Sequence, residues 1–142
     1  LLTRDDIDAN KQSNRDATPL FIASINGKVE VVRLLLAQPN ININKNPGGY
    51  SALWMAAQQG HVQIVQTLLT RDDIDVNKPT DDGRTPLNIA SDNGRVEVVR
   101  LLLSQPNFDL NKKDDWGTTA LGIAKEKNNT EVVQLLTEAG AQ

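Results

Sequence analysis

The chain has no cysteine, which removes disulfides, thiolate nucleophiles and sulfur-ligated zinc together and fits an intracellular, cytoplasmic protein. It has one histidine, His61, so any Ser-His-Asp site would have to be built on that residue. No apolar run approaches the ~20 residues of a membrane-spanning helix. The opening stretch LLTRDDIDAN has neither the basic leader nor the apolar core of a secretory signal. Excess positive charge is missing too. With 15 Lys and Arg against 18 Asp and Glu, the net charge is -3, which argues against nucleic acid, where basic groups on phosphates drive binding. Neither a Gly-x4-Gly-Lys-Ser/Thr loop nor a Gly-x-Gly-x2-Gly turn occurs, and no cofactor is expected. What remains, 39% hydrophobic and 23% charged over 142 residues, has the make-up of one globular domain rather than a disordered chain.

Self-similarity is the strongest signal present. TPLFIASINGKVEVVRLLL begins at Thr18, SALWMAAQQGHVQIVQTLL at Ser51, TPLNIASDNGRVEVVRLLL at Thr85 and TALGIAKEKNNTEVVQLLT at Thr119. Thr18, Ser51, Thr85 and Thr119 are each suited to cap a helix N-terminus. Pro19 and Pro86 follow at the position where a missing N–H costs nothing. Gly27, Gly60 and Gly94 stand where these short helices should end in a left-handed residue, with Asn128 in the fourth such place. A second helix is expected directly afterwards. In the first block Val29, Val32 and Leu36 make one apolar stripe with Val31 and Leu35 beside it, while Lys28, Glu30 and Arg33 face outward. Helices this short cannot bury their apolar faces alone, so successive pairs must stack into one shared core.

This period, the Thr-Pro-Leu opening and the closing Leu run resemble the ankyrin repeat over essentially the whole chain. The resemblance implies an all-α solenoid of stacked helix-turn-helix pairs with finger-like hairpin connectors. It makes residues 1–142 a single domain: a partial repeat at 1–16, repeats at 17–49, 50–83 and 84–117, and a C-terminal capping repeat at 118–142. The opening LLT aligns with Leu68-Leu69-Thr70, the tail of a second helix, so the chain is expected to have been cut from a longer array. The last block places Thr130 and Thr137 where the others carry Val and Leu, a polar face suited to the end of a stack. The family's Thr-Pro-Leu-His box lacks its His throughout, with Phe21, Trp54, Asn88 and Gly122 in its place.

The connectors pose a metal question. RDDIDVNK, from Arg71 to Lys78, spaces carboxylates as a calcium loop would. A loop opening at Asp73 would need Gly at Lys78 and Glu at Arg84, and has neither. Across the repeats the carboxylates vanish while alternate apolar residues persist: Ile41 and Ile43, Ile74 and Val76, Phe108 and Leu110. That pattern describes an extended segment with one buried side, and no metal site is expected. His61 aligns with Lys28, Arg95 and Asn129 and reads as an exposed residue at a helix start. Asp81-Asp82 and Asp114-Asp115 read as solvated turn residues. Met55, Ile22, Ile89 and Ile123 read as inter-helix core. No catalytic residue is assigned.

The resemblance implies protein recognition, without catalysis, through a concave face of finger tips and first helices. On this chain those positions include Arg15, Ala17, Ile25 and Asn26, then Tyr50, Trp54, Gln58, Gln59, Arg84, Asn88, Asp92, Asn93 and Trp116. Trp, Tyr and Arg are common interface anchors. Trp54 could either bind or pack, whereas Trp116 is expected to pack between fingers. The expected partner is a protein met by a monomer, with neither nucleic acid nor membrane. Two other readings stand beside it: a passive spacer within a longer array, and the targeting domain of an enzyme lying upstream.

Overall fold

The computed structural model describes residues 18–45, 47–106 and 108–142. The expected partial repeat at 1–16, together with Arg15 and Ala17, lies outside them. Among the described residues eight α-helices form four pairs: α1 (Pro19–Ile25) with α2 (Val29–Leu36), α3 (Ala52–Gln59) with α4 (Val62–Leu69), α5 (Pro86–Asp92) with α6 (Val96–Leu103), and α7 (Ala120–Glu126) with α8 (Thr130–Glu138). There is no strand among the described residues.

Each pair starts and turns by the same local chemistry. The hydroxyls of Thr18, Ser51, Thr85 and Thr119 accept from the N–H of Phe21, Trp54, Asn88 and Gly122, at 3.1 to 3.2 Å. Such a cap is worth about 1 kcal/mol relative to alanine. The first helices end on Gly27, Gly60, Gly94 and Asn128, all at positive φ. The N–H of the residue after each reaches five positions back, as from His61 to Ala56 O at 3.0 Å and from Asn129 to Ala124 O at 3.0 Å. This pattern closes the orphaned carbonyls and sends the chain straight into the second helix.

First helices pack on first helices (α1 on α3, α3 on α5, α5 on α7) and second helices on second helices in the same order. One apolar core runs from Leu20 to Leu136. Leu35, Leu68, Leu102 and Leu136 hold the same place in every pair and are all fully buried. Each contributes about 1.5–3 kcal/mol relative to an exposed side chain.

The phase of the second-helix stripe differs from the sequence reading at one position. Val32 and Leu35 are buried, but Val31 is 38% exposed. Its counterparts Ile64, Val98 and Val132 are buried because each faces the helix pair before its own, and no described helix precedes α1 and α2. Ile22, expected in the core, is 43% exposed for the same reason, whereas Ile89 and Ile123 are buried and Met55 is partly so. At the other end Thr130 and Thr137 are exposed, where Val29, Val62, Val96, Leu36, Leu69 and Leu103 pack against the core.

The connectors are chains of turns rather than plain extended segments, with bonds such as Ile74 N to Arg71 O and Lys78 N to Asp75 O, both 3.3 Å. Their alternating apolar residues nonetheless face inward: Ile41 and Ile43 are buried, and Ile74, Val76, Phe108 and Leu110 pack against the core.

Candidate partner-binding face

Ahead of α3, α5 and α7 the chain makes a finger. In two fingers a tight turn closes through paired backbone bonds, Thr80 N to Arg84 O and Gly83 N to Thr80 O (both 2.9 Å), then Asp114 N to Thr118 O and Gly117 N to Asp114 O (both 3.0 Å). Side chains complete these turns. The Thr80 hydroxyl accepts from Arg84 N at 3.1 Å, and the Asp114 carboxylate accepts from Trp116 N and Thr118 N at 3.0 and 2.9 Å. Asp82 accepts from the Thr80 hydroxyl through its side chain and from Asp115 N, at 3.0 Å, through its carbonyl, which ties one finger to the next. Asp82 and Asp114 thus build turns. The remaining finger, one residue shorter, instead forms a single 3-10 turn at Pro47–Gly49.

The residues assigned to the groove fall into two sets. Tyr50 is 42% exposed and lies with its ring centroid 4.8 Å from that of Trp54, itself only 5% exposed. Trp54 is therefore the floor on which Tyr50 rests. Its Nε1 is buried with no hydrogen-bond partner among the described residues, so apolar packing is what holds it. Asn88 is 1% exposed, and its Oδ1 accepts from the Thr85 hydroxyl at 2.7 Å. It locks the start of α5 and offers a partner no surface. Trp116 reverses the packing expectation: at 70% exposure its indole stands clear of the fingers.

Around Trp116 lies an open hollow of about 250 Å³ whose lining includes Arg84, Asp92, Ile123, Glu126 and Lys127. Asp92 sits between two cations, 3.0 Å from Arg84 Nη2 and 3.3 Å from Lys127 Nζ. The three come from a finger, the end of α5 and the residue after α7, so the ion pairs join two repeats. They place both charge signs beside an exposed indole. Gln59 and Asn93 are exposed and Gln58 is half-buried, and the Gln58 carbonyl accepts from Asn93 Nδ2 at 3.2 Å.

Another set of contacts does not show in the composition. His61 is half-buried rather than exposed, and its Nε2 lies 2.9 Å from Ile25 O. A carbonyl only accepts, so Nε2 carries the proton. At the matching positions Arg95 Nε donates to Gln58 O at 3.1 Å and Asn129 Nδ2 to Ser91 O at 2.6 Å. Each of these side chains closes the C-terminal end of the first helix in the repeat before. The alignment holds the clue, since His, Arg and Asn share little except an N–H at the end of a side chain. Among the described residues no group of three His, Asp or Glu side chains converges as a metal ion would need, and no helix is long and apolar enough to cross a membrane.

The family described as Ankyrin repeats (3 copies) has a model that matches residues 1–80 and again 72–142. No curated protein matches the chain.

Proposed function

The chain belongs to the ankyrin repeat family, whose repeats are generally non-enzymatic protein–protein interaction modules, and on that premise we propose that it binds a protein partner through the face made by its fingers and first helices. One observation carries the choice of face. The two exposed aromatic rings, Tyr50 and Trp116, both stand on fingers, in a chain only 4% aromatic. Aromatic side chains supply much contact area for little lost entropy, and Arg84 beside Trp116 adds a second anchor type. Trp54 and Asn88 belong to the support beneath this face, while Tyr50, Gln58, Gln59, Arg84, Asp92, Asn93 and Trp116 form its contact surface. The working unit is a monomer, one domain with the repeat boundaries given by the sequence, acting without cofactor, metal or nucleic acid. A rigid stack loses little entropy on binding.

The test is affinity capture from lysate with the parent chain and with a Tyr50→Ala, Trp116→Ala variant that retains its circular dichroism. A partner held by the parent chain and lost by the variant supports the reading. Truncating an anchor of this kind removes about 2 kcal/mol or more of binding. Equal capture by both chains sinks it and favours a spacer or a site elsewhere.

A further inference from the structure

A hollow of about 410 Å³ lies away from the fingers, at the exit of the second helix α4, between one connector and the next repeat. The corresponding place one repeat earlier shows what fills such a space. There Arg71, arriving from the following repeat, donates from Nη1 to Leu36 O, the last residue of α2, at 2.8 Å. Its Nη2 pairs with Asp73 at 3.2 Å. Leu69 is the counterpart of Leu36, and Gln105 is the counterpart of Arg71. Gln105 is shorter and turns the other way, its Nε2 lying 3.3 Å from Leu101 O and 3.3 Å from Ser104 Oγ within its own repeat. The hollow is the space an arginine would take.

Its walls fit such an occupant. Leu69, Ile74 and Val76 give an apolar side for the three-carbon stem of an arginine. Asp72 and Asp75 also line it, and the carbonyl end of α4 adds the negative pole of a helix. The one cation in the lining, Arg71, is already engaged with Leu36 and Asp73. We propose that this notch receives the guanidinium of an arginine side chain carried by a protein partner, as a second contact point on the outer side of the array. A planar fork can bond a carbonyl and a carboxylate together, as Arg71 does, whereas an ammonium cannot reproduce that geometry. The site is independent of the finger face, and a partner could engage either or both.

The test is an amide-resolved NMR titration of the whole chain with N-acetyl-arginine amide and with its uncharged isostere N-acetyl-citrulline amide. Arginine should shift the amides of 69–77 and Gln105, and citrulline should bind about tenfold more weakly because the charge-assisted bonds are lost. Gln105→Arg should abolish the response by placing the chain's own guanidinium in the notch. An Asp72→Asn, Asp75→Asn variant should weaken it, and decides the matter on the same terms if Gln105→Arg does not fold. Equal response to citrulline, an undiminished response in these variants, shifts confined to other residues, or no response to arginine would each overturn the assignment.

Discussion

The side-chain carbonyl of Asn44 accepts from the backbone N–H of Asp75, 31 residues further on, at 2.7 Å, while its amide donates to Asp73 O at 2.7 Å. One short side chain thus satisfies a donor and an acceptor of the next connector. The link recurs along the stack, with Asn77 accepting from Asp109 N at 3.2 Å and Asn111 from Gln142 N at 3.0 Å. The recurrence of Asn at 44, 77 and 111 is explained by this bond, which holds the connectors in register on the side away from the fingers.

Asn44→Ala is expected to lower stability by about 1–2 kcal/mol, since it leaves two backbone groups to water or to nothing. Asn44→Asp should cost nearly as much despite being close in shape. It keeps the acceptor, loses the donor, and sets a carboxylate against the next connector, which already holds Asp73 and Asp75. Urea unfolding of both variants checks this, and a harmless Asn44→Asp would remove the donor bond from the account.

Leucines of equal size should differ sharply. Leu68→Ala, at a fully buried position, is expected to cost about 2–5 kcal/mol. Leu34→Ala, at 51% exposure, should stay within about 0.5–1 kcal/mol, in line with the area it removes from water. Comparable losses from chemical unfolding would mean that the N-terminal side of α2 is covered.

Gly60 has φ +72, and a Cβ there would lie 2.9 Å from Arg95 Cδ. Gly60→Ala is therefore expected to cost about 1–2 kcal/mol from backbone conformation, with Arg95 forced to shift. Asn128→Gly, at φ 59, should be neutral or slightly stabilising. The thermal midpoints of the two variants should move in opposite directions or differ clearly, and equal midpoints would contradict the left-handed exit.

The two tryptophans offer an optical check. Trp116→Phe leaves Trp54, at 5% exposure, and its emission should be blue-shifted and resist acrylamide. Trp54→Phe leaves Trp116, at 70% exposure, and its emission should resemble that of free indole in water and quench readily. Similar quenching in both variants would show that the burial of these rings is misassigned.

Caps, exits and the periodicity of the second helices were legible in the sequence because each depends on residues within about one helical turn. Four copies in register made that local grammar hard to miss. The phase error at Val31 and Ile22 arose because their exposure depends on whether another helix pair lies against them. Periodicity along a single helix carries no information on that.

Recurrence in the chain itself therefore determined the fold, the family and the stacked core, since helices of seven to nine residues must share a core to be stable at all. Tertiary structure alone decided which tryptophan is covered, that Asn88 is buried, that His61 closes a neighbouring helix, and where a cavity opens beside Gln105. Those outcomes depend on contacts between residues some thirty or more positions apart. Such contacts are fixed by how one repeat rotates onto the next, and residue type at a single position does not encode that rotation.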